Sequence, residues 1–594
     1  MDKLVASTGA GALFPEMPTI LFYPQVRECP VCGAQLKAQK SRHKTVFTMH
    51  IGAFDANETV RFCPHDKTIF SSEQLRSLVP KGSNFGFDVI VEVGMALFVH
   101  CRNHRQIMEA LAAKHVPVSE REISYLGRKF IVYLALAHRQ SQSRLRELMD
   151  KGGGYILHVD GTCEGDSPNL FCGVDGIREL VLDTIKIPSE KKEQLIPFFR
   201  RIKQQYGEPK ALVHDMGRGI CMAVREVFPG VADFICHFHF LRDVGKDLLQ
   251  DEYTALQKRL QQLNVRALLR QKARYLEQKI DSTAPVLDEI VSSLEFGTWQ
   301  TTSCEPVPLI MAYALIQWVF AYPQLSNGYG FPFDRPHLDF FRRLQTAHRL
   351  LKQIMEVRLR GIVKDNKPYY LVYRTLDEAV NDYQLNDLAA SLERKAKVFD
   401  KLRSAMRIAL PDGKDGINDN GENADMRSIK EKVIVFRKWL IGDEQRKETY
   451  TKMLKQIDKY WEKLFADPLP VLTPEGIVYI QPQRTNNILE QMFREEKHQG
   501  RKKSGTASLS KVLKAMLAET PLIQNLRNSE YMDIILDGCS TLAERFSRID
   551  AGLVQKEMEA TRSNQERILP SIKKLSRDCD LTEKISTLFL AQAK

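Results

Sequence analysis

Three acidic residues stand at positions from which carboxylates can converge on one site. Asp160 ends an apolar run in the sequence HVDGT, Asp215 ends another in VHDMG, and Glu490 lies near the start of a helical pattern in RTNNILE. Carboxylates at strand ends reach the edge of a sheet, where oxygen ligands can hold two Mg²⁺ or Mn²⁺ ions about 4 Å apart. Paired cations of this kind catalyse hydrolysis or transfer at a phosphodiester. The three acids are therefore candidates for a phosphoryl-transfer site.

A second set of ligands lies in the first 80 residues, between short β-rich runs. Cys29-Pro-Val-Cys32 is a C-x-x-C turn that points two thiolates at one centre, and Cys63-Pro-His65-Asp66 forms a second knuckle. Structural Zn²⁺ takes four ligands in a tetrahedron. We predict a structural zinc held by these three cysteines and His65. The fourth ligand stays open, because Asp66 stands where the commoner pattern has its last ligand.

Each of these assignments has rivals that the sequence leaves open. The alternatives to the two aspartates are Asp166, Asp175 and Asp233. The plain interpretation of these three is that they stabilise turns or lie at a solvated edge of the sheet. The alternatives to the glutamate are Glu475, Glu495 and Glu496. Cys101 and His104 compete as zinc ligands, although a buried cysteine and an exposed histidine on a helix explain them equally simply.

Two helical patterns follow the knuckles, separated by a break at 115–118. The second begins with a capping-box sequence, in which Ser119 precedes Glu122 by three residues. A helix pair with a short turn is the shape of a helix-turn-helix, whose second helix enters a DNA groove. The basic side chains that would then contact DNA are Arg121, Arg128 and Lys129. An ordinary helical hairpin with a solvated basic face is an equally good interpretation.

The elements that must position Asp160 and Asp215 alternate between strands and helices. We predict strands at 155–160, 170–174, 180–187, 211–214 and 232–236, and helices at 190–205 and 219–227. Three strands followed by alternating helices and strands indicate an α/β layer with a mixed sheet. Beyond it the pattern is helical for about 230 residues, with a polar loop at 411–425. A break at 468–482 precedes a helix that begins near Asn486.

The composition limits the class of protein. The chain has 594 residues, 43% hydrophobic and 27% charged, which is ordinary globular usage in a length that allows several modules. Its 86 Lys+Arg against 74 Asp+Glu give a net charge of +12, which favours a polyanionic partner. The apolar runs are shorter than the roughly 20 residues of a spanning helix, and no signal-peptide pattern is seen. We expect an intracellular protein.

These features together resemble a known family. The matching motifs are Asp-Gly-Thr after the first strand, the aspartate after the fourth, Phe228-Pro229 and then Cys236-His-Phe-His239. In kind and order they are similar to the motifs of the DDE transposases of RNase H-like fold, specifically the Mutator-like and related bacterial insertion-sequence groups. The resemblance covers roughly residues 152–512. It implies that Asp160, Asp215 and Glu490 are catalytic ligands of two Mg²⁺ or Mn²⁺ ions. It also implies that Cys236 and His239 are the family's C-x-x-H pair, which we assign a supporting role at the active site.

The resemblance also implies an organisation of the chain. An RNase H-like mixed sheet is interrupted by a large all-helical insertion and preceded by a zinc-ribbon-like module. The predicted units are 1–82 (zinc-ribbon-like), 83–150 (helical, helix-turn-helix), 151–252 (first part of the core), 253–470 (insertion), 471–512 (glutamate helix) and 513–594 (C-terminal helices). Trp299 and Trp318 in the insertion are predicted to be buried core aromatics rather than platforms for a flipped base.

Basic residues follow Glu490 on the same predicted helix. Lys and Arg that neutralise phosphates supply most sequence-independent affinity for DNA. A run of this kind is usually a solvated face, but its position beside a predicted metal ligand favours DNA. The predicted DNA-binding residues here are Arg494, Lys497, Arg501, Lys502 and Lys503.

The function that follows is that of a DNA transposase. It would hydrolyse phosphodiesters at element ends and transfer the freed 3′-OH to target DNA, with terminal repeats and target DNA as partners. The resemblance implies a homodimer or a higher oligomer. Two alternatives remain: a non-catalytic DNA-binding regulator derived from a transposase, and a metal-dependent nuclease without strand transfer.

Overall fold

The computed structural model describes residues 17–280, 292, 306–358, 367–410, 426–505, 508–563, 580, 581 and 584. The predicted polar loop at 411–425 and Trp299 lie outside these residues. The described chain is a mixed α/β structure in which helices dominate, which confirms the predicted α/β class. Within this part of the chain, no helix is both long and apolar enough to cross a membrane.

The N-terminal segment forms a small sheet with one helix packed against it. The elements are β1 (Thr19–Phe22), β2 (Lys37–Thr48), β3 (Gly52–Phe62), β4 (Ile69–Phe70) and α1 (Glu73–Leu78). The strand order is β1-β3-β2, with β4 paired to β3. Alternate residues of β3 are buried, as expected for a strand with one covered face. Phe22, Val46, Phe54 and Leu75 form the core of this unit.

Four helices connect this unit to the central sheet. They are α2 (Phe87–Gly94), which continues as a π-helical turn over Met95–Val99, α3 (His104–Ala112), α4 (Glu120–Gln140) and α5 (Gln142–Lys151). The predicted capping box is present, because the Ser119 hydroxyl accepts from the Glu122 backbone N–H and the Glu122 carboxylate accepts from the Ser119 N–H. From Phe130 to His138 every residue of α4 is buried. The second half of α4 is therefore enclosed on all sides, whereas its first turn is exposed.

The central sheet has five strands in the order β7-β6-β5-β8-β9. The elements are β5 (Ile156–Thr162), β6 (Asn169–Asp175), β7 (Leu180–Ile187), α6 (Lys192–Tyr206), β8 (Ala211–His214), α7 (Arg218–Val227) and β9 (Ala232–Ile235). β5, β6 and β7 are antiparallel neighbours, whereas β8 runs parallel to β5 and β9 parallel to β8. The predicted mixed sheet is confirmed, and β5 is its central strand.

Helices occupy the described chain between β9 and the return to the sheet. They are α8 (His237–Gln262), α9 (Val265–Glu277), α10 (Pro306–Phe320), α11 (Pro336–Arg358), α12 (Lys367–Val380), α13 (Tyr383–Met406), α14 (Met426–Ile441), α15 (Glu444–Thr449) and α16 (Thr451–Leu464). They pack around a hydrophobic core of their own, which runs from Ile235 to Phe465. A hairpin of β10 (Leu469–Thr473) and β11 (Gly476–Ile480) follows, where the helical sequence pattern breaks.

The last helices pack back onto the central sheet. They are α17 (Asn487–Ser504), α18 (Leu509–Ala515), α19 (Ser529–Leu536), α20 (Leu542–Ser547) and α21 (Ala551–Ser563). Phe130 of α4, Phe171 of β6 and Phe546 of α20 belong to one hydrophobic core. His138 of α4 also joins α4 to α19 and α6, since its ring nitrogens lie within hydrogen-bond distance of the hydroxyls of Tyr531 (3.0 Å) and Tyr206 (2.9 Å). The segment predicted as a separate DNA-binding unit therefore shares the core of the sheet.

Candidate metal centre

Asp160 lies on the central strand of the sheet. β5 is paired on both sides, and Asp160 stands opposite Cys172 of β6. Only 6% of Asp160 is exposed, and its carboxylate accepts a hydrogen bond from the backbone N–H of Gly161 (2.8 Å). A carboxylate has about four acceptor sites, so Asp160 keeps the capacity to bind a cation.

Asp215 follows the neighbouring parallel strand β8, as predicted. Its carboxylate accepts a hydrogen bond from the backbone N–H of Gly217 (2.8 Å). Asp160 and Asp215 line the same open cavity, which has a volume of about 350 Å³. The other lining residues are Gly161, Thr162, Phe238, His239, Arg242, Gly328, Tyr329, Glu490, Phe493 and Arg494. The two aspartates therefore face one volume from adjacent strands.

Asn486 returns the chain to the sheet after the long helical excursion. It is fully buried, its side-chain amide donates to the carbonyl of Val159 (3.0 Å), and its side-chain oxygen pairs with Nδ1 of His158 (3.1 Å). Its backbone N–H donates to Sγ of Cys236 (3.4 Å). Asn486 is also the N-cap of α17. These bonds therefore hold the first turn of α17, which carries Glu490, against β5.

Asp160, His239 and Glu490 come together where the first turn of α17 lies against β5. The carboxylates of Asp160 and Glu490 and a ring nitrogen of His239 lie within 4.8 Å of one another. Nε2 of His239 is 3.8 Å from Oε1 of Glu490. His239 lies in the first turn of α8, whose N-cap is Cys236. The two members of the C-x-x-H pair thus do different things, because the cysteine anchors the returning chain and the histidine faces the carboxylates.

The cavity concentrates negative charge. Burial raises the pKa of Asp160 well above its ordinary value, and the carboxylates of Asp215 and Glu490 raise it further. Burial also raises the pKa of Glu490, while the guanidinium groups of Arg242 and Arg494 oppose that rise. Like charges repel strongly where water is largely excluded. A divalent cation between these carboxylates would relieve that repulsion.

The donor set fits divalent cations. Carboxylate oxygens are the usual ligands of Mg²⁺ and Mn²⁺, and neutral imidazole binds transition metals. Burial lowers the pKa of His239 to about 3, so its ring is neutral near pH 7. Nδ1 of His239 is buried and has no hydrogen-bond partner among the described residues. Nε2, the ring nitrogen that faces Glu490, lies 3.8 Å from its carboxylate, beyond hydrogen-bond length, so its lone pair can bind a cation.

The rival acids are engaged elsewhere. Asp166 pairs with Lys514 (2.6 Å), Asp175 with Arg178 (2.9 Å), Asp233 with His214 (3.3 Å) and Glu495 with Arg527 (3.2 Å). Glu475 is exposed in the turn between β10 and β11, and Glu496 is buried on α17. Within the described ranges, none of the six belongs to a group of metal-ligating side chains or lines the cavity; Asp215 also lies outside the group of Asp160, His239 and Glu490, but it lines the cavity. The structure therefore favours Asp160 and Glu490 over these alternatives.

The predicted cations of α17 form a stripe that starts at the cavity. Arg494, Lys497 and Arg501 are exposed and follow Glu490 three or four residues apart, a spacing that places them along one face of the helix. We call these three residues the basic stripe. Lys502 is exposed as well, beside the stripe. The stripe continues from the acidic cavity along the surface of α17.

Burial removes one predicted DNA contact and weakens another. Lys129 is 6% exposed, its ammonium lies 5.9 Å from the ring of Tyr125, and burial lowers its pKa to about 8. The burial of its own side chain contradicts the prediction that Lys129 contacts a DNA groove. Lys503 is half-buried over the ring of Phe98 (4.9 Å). Of the remaining predicted contacts on α4, Arg121 is exposed and Arg128 is half-buried.

The N-terminal cysteines come together as predicted. The sulfur atoms of Cys29, Cys32 and Cys63 lie within 4.8 Å of one another, and those of Cys32 and Cys63 are 3.4 Å apart. Both halves of the site are tight turns. The Gly33 N–H donates to the carbonyl of Cys29 (2.8 Å), and the Lys67 N–H donates to the carbonyl of Cys63 (3.0 Å). Three converging thiols fit a Zn²⁺ ion.

The two turns also indicate which residue completes this group. Gly33 and Lys67 occupy equivalent positions, with φ of 70° and 62°. Asp66 therefore stands in the second turn where Cys32 stands in the first, and its carboxylate is 3.9 Å from Sγ of Cys29. Asp66 and His65 are both exposed and both lie outside the cysteine group, but His65 stands at the position that Val31 holds in the first turn. Cys101 and His104 lie outside the group as well. The geometry favours Asp66 over His65 as the fourth ligand.

Several residues around the cavity escaped the sequence analysis. Arg242 lies one helical turn after His239, a spacing from which its position could have been inferred. Glu190 is a further acid nearby, since burial and the charge of Asp215 raise its pKa. Tyr329 comes from the insertion, and no local pattern places it at the cavity. Trp318 was expected in the core of the insertion, but it is 40% exposed under the guanidinium of Arg343.

Comparison with known proteins adds nothing to this site: no model of a protein family matches the chain, and no curated protein matches it. The function has to be inferred from the chemistry of the residues themselves. These residues provide carboxylates and an imidazole for cations, arginines for an anion, and a basic surface that continues from them.

Proposed function

We propose that the chain is a DNA transposase of the DDE type, which hydrolyses phosphodiesters at element ends and transfers the 3′-OH to target DNA. One observation carries this proposal. Asp160 and Glu490 are about 330 residues apart in the chain, yet their carboxylates lie within 4.8 Å of a common imidazole, with Asp215 lining the same cavity. Buried carboxylates brought together are stabilised by protonation or by a bound cation, and a divalent cation is what lets them stay ionised together.

The topology supports the same proposal. Three antiparallel strands followed by two parallel ones, with the first strand at the centre, is the strand order of the RNase H-like fold, to which we assign the sheet. The acids stand where the resemblance to DDE transposases requires them, on the first strand, after the fourth strand and on the helix that follows a helical insertion. We likewise assign the N-terminal knuckles to a zinc-ribbon-like module.

The residues of the cavity divide the work of binding a phosphodiester. Asp160, Asp215 and Glu490 would hold two Mg²⁺ or Mn²⁺ ions, which when bound supply an activated oxygen nucleophile and a stabilised leaving oxygen. Arg242 and Arg494 flank Glu490 and place positive charge where a phosphate would lie.

The basic stripe then provides a path for the DNA backbone away from the cavity. Arg494, Lys497 and Arg501 each offer a cation to one phosphate along this path. The exposed first turn of α4, with Arg121, and the zinc module provide further surfaces for element ends, and we expect a dimer or a higher oligomer on paired ends.

The test uses donor DNA that contains the coding sequence of this chain with its flanking DNA on both sides, a target plasmid, and Mg²⁺ or Mn²⁺. We expect joined donor–target products from the unaltered protein. Asp160→Ala should reduce them by at least about 10³-fold, because the buried electrostatic centre of the reaction is lost. Asp166→Asn, which removes an exposed acid paired with Lys514, is the matched control and should keep full activity.

The alternatives give different products. Cleavage without joining would identify a metal-dependent nuclease and contradict strand transfer. DNA binding without cleavage by the unaltered, metal-loaded protein would identify a DNA-binding regulator. Full joining activity in Asp160→Ala would remove this residue from the reaction.

A further inference from the structure

His239 differs from the other buried histidines of this chain. His138, His158, His214, His237 and His348 each have at least one ring nitrogen in a hydrogen bond within the described structure. His239 is as deeply buried, at 6% exposure, but neither of its ring nitrogens makes a hydrogen bond among the described residues. Its Nε2 lies 3.8 Å from Oε1 of Glu490, which is beyond hydrogen-bond length. Leaving a polar ring unsatisfied in the interior costs free energy.

The position of Nε2 shows which ligand it could bind. Nε2 is directed at Glu490, and the ligand atoms of His239, Glu490 and Asp160 lie within 4.8 Å of one another. A cation bound about 2.1 Å from each donor would draw these groups together by small side-chain movements. With Nε2 coordinated, the ring proton resides on Nδ1 and the imidazole is neutral, as a metal ligand must be.

A hydrogen bond to Glu490 is the plain alternative, and the structure argues against it. An imidazolium–carboxylate pair would close to a hydrogen-bond distance, as His348 and Asp377 do at 2.8 Å on the insertion. Cations also stand beside His239, since Arg242 and Lys246 are near enough to disfavour a charged ring. The acids that face it are Asp160 and Glu490.

We infer that His239 is a direct ligand, through Nε2, of a divalent cation that Asp160 and Glu490 also hold, and that this nitrogen makes the site prefer Mn²⁺ over Mg²⁺. The preference follows from ligand chemistry, because imidazole suits first-row transition metals whereas Mg²⁺ takes oxygen ligands almost exclusively. Asp215 then serves the second cation together with Asp160. This assignment deepens the proposed function, because it divides the ligands between one cation site that includes a nitrogen donor and a second that has only carboxylates. Its role in DNA joining rests on the proposed function.

The experiment measures the metal rather than the reaction. The metal-free full chain, with the zinc site filled first, is loaded with one equivalent of Mn²⁺ and studied by pulsed electron paramagnetic resonance, which detects a coordinated ¹⁴N nucleus. We expect a ¹⁴N coupling in the unaltered protein. His239→Phe, which keeps a ring of similar size in place, should lose the coupling and bind Mn²⁺ at least about tenfold more weakly, with a smaller change for Mg²⁺. His498→Gln, an exposed histidine on α17, is the matched control and should leave both unchanged.

Each outcome decides between the alternatives. Mn²⁺ bound without a ¹⁴N coupling in the unaltered protein would overturn the inference, whether or not His239→Phe folds. A coupling that persists in a folded His239→Phe variant would overturn it too, since another nitrogen would be the ligand. Joining activity in a protein without the coupling would leave the proposed function standing while this inference falls. A ¹⁴N coupling in a protein that cleaves no DNA would support this inference and contradict the proposed function.

Discussion

The two groups of this chain that could hold a metal ion are built in opposite ways. The cysteine group draws its ligands from two short turns at 29–33 and 63–67, each closed by its own backbone hydrogen bonds. The carboxylate group draws Asp160 from a central strand, His239 from the start of α8 and Glu490 from a helix that returns after the insertion. One group is defined by local turns, and the other depends on the whole core.

This contrast shows how each site meets its physical requirements. Thiolates in tight turns need little support, because a zinc ion supplies much of the folding free energy of such a module. Buried carboxylates repel each other and must be held by surrounding structure. The bonds of Asn486 to β5 and to Cys236 provide that support. We therefore expect the N-terminal group to fail when its metal is lost, and the carboxylate group to fail when its scaffold is disturbed.

The largest expected effect is the loss of the zinc. Cys63→Ser should release zinc and unfold the N-terminal module, since structural Zn²⁺ contributes roughly 10 kcal/mol in comparable small modules. Bound zinc by mass spectrometry and the affinity for element ends should both fall. Binding of Mn²⁺ at Asp160 should not change, because the two groups share no element. The exposed Cys163→Ser is the control, and an equal loss of Mn²⁺ binding in Cys63→Ser would show that the sites are coupled.

The next effect concerns the scaffold of the carboxylate group. Asn486→Ala removes both side-chain bonds to β5 and should lower the free energy of unfolding by roughly 2–4 kcal/mol, since buried partners lose their hydrogen bonds. Mn²⁺ affinity should fall by about 10–100-fold, as when a residue that supports a ligand is lost. Denaturant unfolding and Mn²⁺ titration measure the two effects. Asn487→Ala, one residue further on, is the matched control. Unchanged Mn²⁺ affinity in a folded Asn486→Ala variant would contradict the role.

A smaller effect decides the fourth zinc ligand. Asp66→Ala should weaken zinc binding by about 10–100-fold, because its carboxylate approaches Cys29 from the position that matches Cys32. His65→Ala should leave zinc affinity unchanged, because His65 stands at the position that Val31, which is not a ligand, holds in the first turn. Competition with a chromophoric chelator gives both affinities. The reverse order would restore His65 as the ligand.

The smallest effect is a gain in stability of the metal-free protein. Burial raises the pKa of Asp160 in the folded state above its ordinary value in the unfolded chain. The folded state therefore holds the proton more tightly, and stability falls as the pH rises from about 4 through the raised pKa. Asp160→Asn should increase Tm at pH 7 by a few degrees, at about 2–4 °C for each kcal/mol, and should have no effect near pH 3.

Asp166→Asn is the control for the change in Tm, and added Mn²⁺ gives a second measurement. Asp166→Asn should not increase Tm, because its exposed partner Lys514 lowers the pKa of Asp166. Added Mn²⁺ should stabilise the unaltered protein more than Asp160→Asn. A lower Tm for metal-free Asp160→Asn at pH 7 would show that the charged carboxylate is satisfied by the protein alone.

Local patterns predicted much of the architecture. The ranges of β7 and β8 match, the capping box at Ser119 is present, and a helix begins just after Asn486. These features depend on hydrophobic period, turn chemistry and helix capping, which act over a few residues. The same approach failed for Lys129, because a basic residue on a helix gives no sign of which helices will surround it.

The sequence by itself determined the kinds of ligands, the order of the strands and the turns that bring the cysteines together. Only the tertiary structure decided that Asp160, His239 and Glu490 meet, that Cys236 anchors the returning chain while His239 faces the carboxylates, and that Tyr329 lines the cavity. The physical reason is the separation along the chain of the residues that determine each feature. Turns and strands follow from neighbours in the chain, whereas a site assembled across a long insertion follows from the packing of two separate hydrophobic cores.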